Sequence, residues 1–447
     1  MTAREKLIHE SATVVLVSQD CPGYSSYATA LLRESLKADP RLPDLRVATL
    51  SIPSGFDPWW LAWRIARLDP TPDFVCFSAY CWNSAELTTA ARLCREILPA
   101  TQIVFGGPEA GPLADEWLVR YRWLDAVALA EGERVLPELI WSWARGGDPT
   151  TIPGLAARGS RDAAPATPLT PLTPPTPAIP ATPADPLEPL DTLPCAYTDD
   201  HPPAIDGSAY LETYRGCPHS CSYCFEGKGL KHIRSFSWAR IEAEVKRMAT
   251  TPGMTSFSVI DAVFNLSTDR LEKLAEIFEP YAQRGLRLHT IEVDLEHIDD
   301  HQAQLLARCG VASVESGPQT TNQRALDLVH RRFDPERWLE GLRACQAVGI
   351  IVEADLIIGL PGDSPADVLA SLDFVAKSGA DILQVSTLRV LPGTDLWQRA
   401  DELGLRFDHE APHEVISTPD ISFDELRQLE TYGFAIQKLL RARRDAH

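Results

Sequence analysis

No stretch of these 447 residues approaches the roughly 20 consecutive apolar residues of a membrane-spanning helix. The first twenty, MTAREKLIHESATVVLVSQD, lack the apolar run of a signal peptide. Both absences predict a cytoplasmic protein with no membrane partner. Net positive charge is missing as well. The chain carries 42 Lys and Arg against 62 Asp and Glu, a formal charge of −20. That argues against a general basic surface for phosphate backbones, so no nucleic-acid partner is expected. Paired cysteine spacing is also scarce. Of ten cysteines, Cys21, Cys76, Cys81, Cys94, Cys195, Cys309 and Cys345 are scattered, which reads as small buried apolar residues in a reducing compartment. Apolar residues are not lacking: at 45% they can fill large cores, and the length predicts two or three domains.

The remaining three cysteines lie together in Arg215-Gly216-Cys217-Pro218-His219-Ser220-Cys221-Ser222-Tyr223-Cys224-Phe225. Three thiolates cannot pair as disulfides without leaving one over, but all three can face one metal centre. Structural zinc needs four closed ligands, usually in CxxC pairs, and His219 sits between the first two cysteines. A cubane iron–sulfur cluster has four irons with cysteine thiolates as usual ligands. No fourth cysteine follows until Cys309, so this loop holds three irons and leaves one open to a small molecule.

Residues 1–150 alternate between strand and helix. Val14–Val17, Arg46–Leu50, Phe74–Ser78, Gln102–Phe105 and Ala126–Leu129 read as strands, with helical spacing at 24–37, from Asp57, at 84–97 and up to about 144. This predicts a doubly wound, Rossmann-like parallel sheet with ligands at the carboxyl ends of its strands. Those ends carry Gln19–Tyr24, Ser78–Asn83, Gly106–Glu109 and Glu131–Glu133. Trp59, Trp60 and Trp63 are expected to fill the helix–sheet core. Residues 151–195 read as a linker: ten of the thirty residues 161–190 are proline, a composition that favours extended polyproline II.

From 196 to 395, six strands alternate with helices: 208–214, 256–260, 288–293, 312–315, 351–358 and 382–390. Parallel strands with helical crossovers predict a partial barrel with its site at the strands' carboxyl ends. Residues 396–447 read as a short, amphipathic helical tail packed over that barrel, without cysteines for a second cluster.

The CxxxCxxC loop with Tyr223 before its last cysteine, joined in order to Asp355-Leu356-Ile357-Ile358-Gly359-Leu360-Pro361-Gly362 and Leu388-Arg389-Val390-Leu391-Pro392-Gly393-Thr394, resembles the radical S-adenosylmethionine (SAM) superfamily. The expected fold class is therefore α/β: a Rossmann-like domain, then a partial (β/α)6 TIM-like barrel, then the tail. The resemblance implies a 4Fe-4S cluster on Cys217, Cys221 and Cys224. It implies SAM contacts from Tyr223, Asp261, Glu292, Gln319, Arg331, Asp355 and Gly359, with Asp261 near the methionyl amine, Glu292 on the ribose and Arg331 on the carboxylate.

The first region resembles the cobalamin-binding domain found before many such barrels, through FSAYCWN (77–83), FGGPEA (105–110) and ALAEGE (128–133). That likeness implies cobalamin contacts from Ser78, Tyr80, Trp82, Gly106, Gly107, Glu131 and Gly132. One departure is plain. Many cobalamin proteins carry DxHxxG after the first strand, whereas SQDCPGYSSY (18–27) has no histidine, so a bound cobalamin would lack a histidine lower ligand. The implied activity is radical methyl transfer to an unactivated carbon of a small-molecule or peptide substrate, with an external electron donor of flavodoxin or ferredoxin type. A non-methylating rearrangement, cyclisation, epimerisation or oxidation is the alternative. A non-catalytic cluster protein is the third reading, and the several SAM-contact candidates speak against it.

Overall fold

The structure is a computed structural model that describes residues 12–20, 25–158, 182–226 and 232–445. Cys21 and most of the proline tract lie outside them. The chain divides into two compact units, 1–202 and 203–447.

In the first unit the apolar runs become strands as expected: β1 (Thr13–Asp20), β2 (Arg46–Pro53), β3 (Phe74–Ser78), β4 (Gln102–Gly106) and β5 (Ala126–Ala128). They pair in parallel in the order β2-β1-β3-β4-β5. A sixth strand, β6 (Leu155–Ala157), adds antiparallel to β5. It falls inside the stretch expected to be linker. Leu155-Ala156-Ala157 is too short and bland to signal a strand, and its burial against the sheet edge makes it one.

The helices α1 (Tyr27–Ala38), α2 (Pro58–Ala66), α3 (Ser84–Ile97), α4 (Ala114–Arg120) and α5 (Gly132–Ala144) cover both faces. Leu61, Ile65, Leu87, Ala91 and Trp117 pack with Val75 and Ile103 on one face. Leu36, Val135 and Leu139 pack with Leu16 and Val104 on the other. Segment 182–201 is also tied to this unit. Gly154 N donates to the Thr182 carbonyl at 2.7 Å, and His201 lies 3.0 Å from Glu34.

The tryptophans of α2 do not fill the core. Trp59, Trp60 and Trp63 are 66, 40 and 53% exposed. Pro58 starts the helix and the Asp57 carboxylate caps it by accepting from Trp59 N. That phase points Leu61, Ala62 and Ile65 inward and all three indoles out. Arg64 and Arg67 stack over Trp60 and Trp63 at 4.8 and 5.3 Å. Trp59→Ser is therefore expected to change unfolding free energy by less than about 0.5 kcal/mol in a denaturant melt, as a surface substitution does. A core tryptophan would cost several times that.

The second unit opens with β7 (Tyr210–Leu211), then β8 (Tyr214–Arg215) and β9 (Arg234–Ser235), which pair antiparallel and close the loop that carries the three cysteines. Helices α6 (Trp238–Thr250), α7 (Thr268–Ala282), α8 (Asp300–Arg308), α9 (Gln323–Leu328), α10 (Pro335–Ala347) and α11 (Pro365–Ser378) alternate with β10 (Ser256–Val259), β11 (Arg287–Leu288), β12 (Ile291–Glu292), β13 (Ser313–Gln319), β14 (Ile351–Ile358) and β15 (Ile382–Thr387). β7, β10 and β11 form one parallel sheet and β12 to β15 another.

A single expected strand at 288–293 is thus split into β11 and β12. Thr290 between them adopts φ 40°, which breaks the extended ladder. Leu288 bridges across the split: its N–H donates to the Gly310 carbonyl at 3.0 Å and its carbonyl accepts from Ala312 N at 2.8 Å. The result is the six-stepped partial barrel.

The tail adds α12 (Asp395–Arg399), the antiparallel pair β16 (Arg406–Phe407) and β17 (Val415–Ser417), and α13 (Phe423–Asp445). α13 lies on β15, where a Cβ on Gly433 would stand 2.9 Å from Val385.

Candidate active site

The cysteine loop begins at Gly216, whose φ is 107°. A Cβ there would stand 3.2 Å from the His232 carbonyl oxygen, so the position suits glycine alone. The loop's backbone is tied to two other elements. Ser222 N donates to the Val329 carbonyl at 2.9 Å, and the Ser222 carbonyl accepts from Leu396 N at 2.8 Å.

Each of the three sulfurs receives an N–H donor. A backbone N–H of His219 reaches Cys217, Glu226 N reaches the Cys224 sulfur at 3.3 Å, and Arg331 Nη1 reaches the Cys221 sulfur at 3.5 Å. Such donors favour thiolate over thiol. Burial works against them: the Cys224 thiol is pushed up to about 11 by burial, and Cys217 is raised by burial and by its neighbouring negative groups. A bound iron would take the place of the thiol proton, and the same donors would then support the metal-bound sulfur. Cys309 and Cys345, the other described cysteines of this unit, are buried in its core. Among the described residues no three His, Cys, Asp or Glu converge on a point as they do around a single ion. A cubane does not demand that, since each of its irons takes one thiolate. The loop's three thiols with their donors fit a 4Fe-4S cluster.

Around these thiols the structure gathers several of the residues singled out in the sequence. The Arg331 guanidinium also donates to the Gly317 carbonyl through Nη2, while its buried Nε has no partner among the described residues. Tyr223 hydrogen-bonds the Cys221 sulfur, and burial raises its phenol well above the usual range. Gln319 adopts φ 64° at a register shift between β13 and β14. This bulge folds its amide back over Gly317, where a Cβ would strike Gln319 Nε2 and come within 2.8 Å of Asp355 Cβ. Tyr223 and Arg331 are thus assembled on Cys221, and Gln319 and Asp355 meet at Gly317, which Arg331 touches.

Glu292 and Asp355 belong to a wider acidic lining. Strand alternation turns Val352, Ala354 and Leu356 toward the helices and Glu353 and Asp355 to the other face. The register sets Glu315 opposite both Glu292 and Glu353, and Gln384 opposite Asp355. Gln384 Nε2 donates to Glu315 at 3.2 Å and to Asp355 at 3.3 Å. Burial first, then Glu315, pushes Glu292 up to about 7 and Asp355 well above the ordinary carboxylate range.

Glu315 and Gln384 were missed as site residues in the sequence. The available signal was the period of two in IVEADLII and ILQVST, where polar residues interrupt otherwise apolar strands.

A stability consequence has a definite sign. Glu292 and Asp355 bind their protons more tightly folded than unfolded, so folding stability falls as pH rises from about 4.5 to about 7. Removing the shared like charge relieves that loss. Glu315→Gln is expected to raise Tm at pH 8 by about 2–4 °C, for about 1 kcal/mol of lost repulsion, and to leave it nearly unchanged at pH 5. A lower Tm at pH 8 contradicts this reading of the lumen.

Two expected SAM contacts are placed elsewhere. Asp261 is 2% exposed, accepts from Thr213 N at 2.7 Å and from the Thr213 hydroxyl, and lies 3.8 Å from Arg270. Its carboxylate, raised to about 6 chiefly by burial, is spent inside the barrel wall, so it supports the β7–β10 strand ends and does not face a ligand. Gly359 has φ 92°, and a Cβ there would meet Val415 at 2.8 Å and Leu426 at 3.2 Å. Its missing side chain makes room for the C-terminal tail, not for an adenine.

In the first unit a cavity of about 180 Å³ lies at the carboxyl ends of β1, β3, β4 and β5, under the first turns of α1 and α5. Ser78, Tyr80, Gly106, Gly107 and Gly132, five of the residues singled out in the sequence, line it. A Cβ on Gly107 would strike the Ala79 carbonyl, and one on Gly132 would come within 2.9 Å of Leu32. Trp82 is not in the lining; it stacks on Tyr80 with ring centroids 4.4 Å apart. Glu131 is turned away, its carboxylate accepting from Leu187 N at 2.7 Å. No histidine among the described residues lines the cavity. Glycine-walled space at this position fits one arm of a cobalamin.

Comparison with known proteins agrees with this geometry. Residues 211–375 match the sequence family described as the Radical SAM superfamily. An uncharacterized methyltransferase of Pyrococcus horikoshii is 24% identical over 74% of this chain and 69% of its own length. The cobalamin-dependent radical SAM methyltransferase TokK of Streptomyces tokunonensis is 26% identical over 75% of this chain, which spans only 50% of TokK. The solved structure of the radical SAM methyltransferase TsrM of Kitasatospora setae, with cobalamin and a [4Fe-4S] cluster bound, superposes with a TM-score of 0.70 at 22% identity, covering 94% of this chain and 81% of TsrM. That likeness establishes a shared fold across both units. A cysteine loop with a donor on every sulfur, in a six-stepped barrel that follows a doubly wound sheet along the chain, is the setting in which residues 211–375 match the Radical SAM superfamily, and the fold of both units is shared with TsrM.

Proposed function

We propose that the protein is a cobalamin-dependent radical SAM C-methyltransferase acting on an unactivated carbon of a small molecule or peptide. The observation that carries this is the set of three donor-supplied sulfurs beside Arg331, with no further described cysteine near them. When bound, the cluster supplies one electron for reductive cleavage of SAM to a 5′-deoxyadenosyl radical and methionine, and methylcobalamin supplies the methyl group. The chain's own residues hold and orient. Cys217, Cys221 and Cys224 hold three irons. Arg331, through its free Nε–H, offers a charge-assisted hydrogen bond to the SAM carboxylate. Glu292 and Gln319 present acceptor and amide groups to the nucleoside. The half-buried face of β14 and β15 forms the lumen into which the substrate's reacting carbon must reach. The curated methyltransferases among the relatives support methyl transfer over the non-methylating alternatives.

The test is anaerobic reconstitution with cluster, cobalamin and a flavodoxin-type reductant, followed by mass spectrometry. SAM-dependent 5′-deoxyadenosine and a product heavier by one methylene group are expected. 5′-Deoxyadenosine with a product of unchanged mass, or of mass lowered by two hydrogens, favours the non-methylating reading. No SAM cleavage at all defeats both.

A further inference from the structure

Helix α13 has two unlike faces. Leu426, Leu429 and Gly433 are buried on the barrel side, with Gly433 close to Val385 and Leu426 close to Gly359. The opposite side is open. Tyr432, Ala435, Leu439 and Ala442 recur every three or four residues, so they share one stripe. All four are exposed, Tyr432 by 61% and Leu439 by 69%. Lys438, Arg441 and Arg443 are exposed on the flanks of that stripe, and Phe434, 45% exposed, stands beside the first two. Residues 431–444 hold four cations and no carboxylate, in a chain whose formal charge is −20.

This face lies away from the cysteine loop. Leu426 meets Gly359 at the carboxyl end of β14, whereas Arg441 and Arg444 lie close enough to Glu353, near the start of that strand, to favour its charged form. Arg441 stands roughly 22 Å along the helix from Leu426, at about 1.5 Å per residue. An electron donor docked on the basic end would therefore be remote from the cluster. The area does not suit a protein partner either. From Tyr432 to Arg443 the stripe is roughly 17 Å long and about 10 Å wide, or about 170 Å². A stable protein pair needs about 800 Å² on each side. A lipid surface sets no such minimum. A helix face with aromatic and leucine side chains sinks into the headgroup layer, and each cation beside it gains from anionic lipid.

We propose that this face of α13 seats the protein on an anionic lipid bilayer, with Tyr432, Leu439 and Phe434 in the headgroup layer and Lys438, Arg441 and Arg443 at lipid phosphates. This goes beyond the proposed reaction and holds whether or not a methyl group is transferred. The lysine and arginine stems can lie along the apolar stripe while their heads reach the phosphates. The acidic charge on the rest of the chain does not forbid the contact, because salt at about 0.1 M screens charges more than about 10 Å away. The expectation of no membrane partner was drawn from the lack of a spanning run and of a signal peptide, and a helix lying in the plane of the interface needs neither.

The experiment uses the full-length protein with its cluster reconstituted, sedimented anaerobically with vesicles at about 0.1 M salt. Vesicles of phosphatidylcholine alone are set beside an equal mixture of phosphatidylcholine and phosphatidylglycerol. Binding to the mixed vesicles is expected to be at least about tenfold tighter than to the neutral ones. Joint substitution Lys438→Glu, Arg441→Glu and Arg443→Glu should remove that preference. Tyr432→Ser together with Leu439→Ser should weaken binding to the mixed vesicles by about tenfold. Lys273→Glu, on the exposed side of α7, is the charge control and should change nothing. All of these side chains are exposed, so an unchanged Tm separates lost docking from lost folding. Equal binding to both kinds of vesicle, or binding to neither, overturns the proposal, and so does a preference that survives the triple substitution. If the unaltered protein ignores vesicles and the triple variant instead raises the KM for a flavodoxin-type donor, the face serves an acidic protein and the proposal falls.

Discussion

Cys221→Ala is expected to abolish SAM cleavage while leaving the protein folded. Of the three loop cysteines, Cys221 is the one most enclosed, and it is the one to which both Tyr223 and the Arg331 guanidinium turn. Losing it removes one candidate iron ligand and the sulfur acceptor of the Arg331 guanidinium, which keeps the Gly317 carbonyl. Anaerobic reconstitution should then give well under four irons per chain, a bleached charge-transfer band and no detectable 5′-deoxyadenosine. The barrel should survive, because the loop is pinned through backbone groups of Ser222 and not through the thiol. Cys345→Ala is the matched control. That thiol is fully buried on α10 and serves packing alone, so its loss should cost about 1 kcal/mol of stability and no iron. Full turnover by Cys221→Ala ends the radical SAM reading of this loop.

Much of this arrangement could be read in the sequence because it is written in periods and punctuation. Strand runs such as VVLV and FVCFS announced the doubly wound sheet, since parallel strands buried on both faces read as continuous apolar runs, although β1 and β2 run three residues past their expected ends. The cluster loop was legible because three thiols at that spacing have few other uses. What was hidden depended on direction. Periodicity locates helix α2 but does not say that its indoles face solvent, since a tryptophan-rich turn reads as core until the opposite face proves to be the more apolar one. Strand β6 gains its pairing from the neighbouring edge of β5, and no local signal in Leu155–Ala157 announces that. Asp261 sits at the expected strand end, yet Thr213 and Arg270 claim both its oxygens, a long-range choice that no local motif encodes. Gly359 looks like a ligand-side glycine until the tail, some sixty residues on, arrives against it. Motif position therefore identified which residues lie near the strand ends, and side-chain partnership decided which of them remain free to act.

Arg331→Met is expected to separate the two duties that meet on one guanidinium. Nη1 serves the Cys221 sulfur and Nη2 the Gly317 carbonyl, which leaves three of the five N–H groups, the Nε–H among them, for a bound SAM carboxylate. The methionine variant fills similar space without any donor. Cluster iron should fall only modestly, since all three thiolates remain and a lost outer hydrogen bond weakens a metal site without dismantling it. The Kd for SAM should rise by about 10- to 100-fold, the worth of one charge-assisted hydrogen bond in a dry site. Arg331→Lys restores the charge but not the fork, because an ammonium is a point donor that cannot satisfy sulfur, carbonyl and carboxylate from one plane. It should therefore recover cluster content before it recovers SAM affinity. Equilibrium dialysis with SAM, set beside iron analysis of the same samples, distinguishes the cases. An unchanged SAM Kd in Arg331→Met, with iron lost instead, would show that the guanidinium serves the cluster alone and that the SAM carboxylate is held by another group.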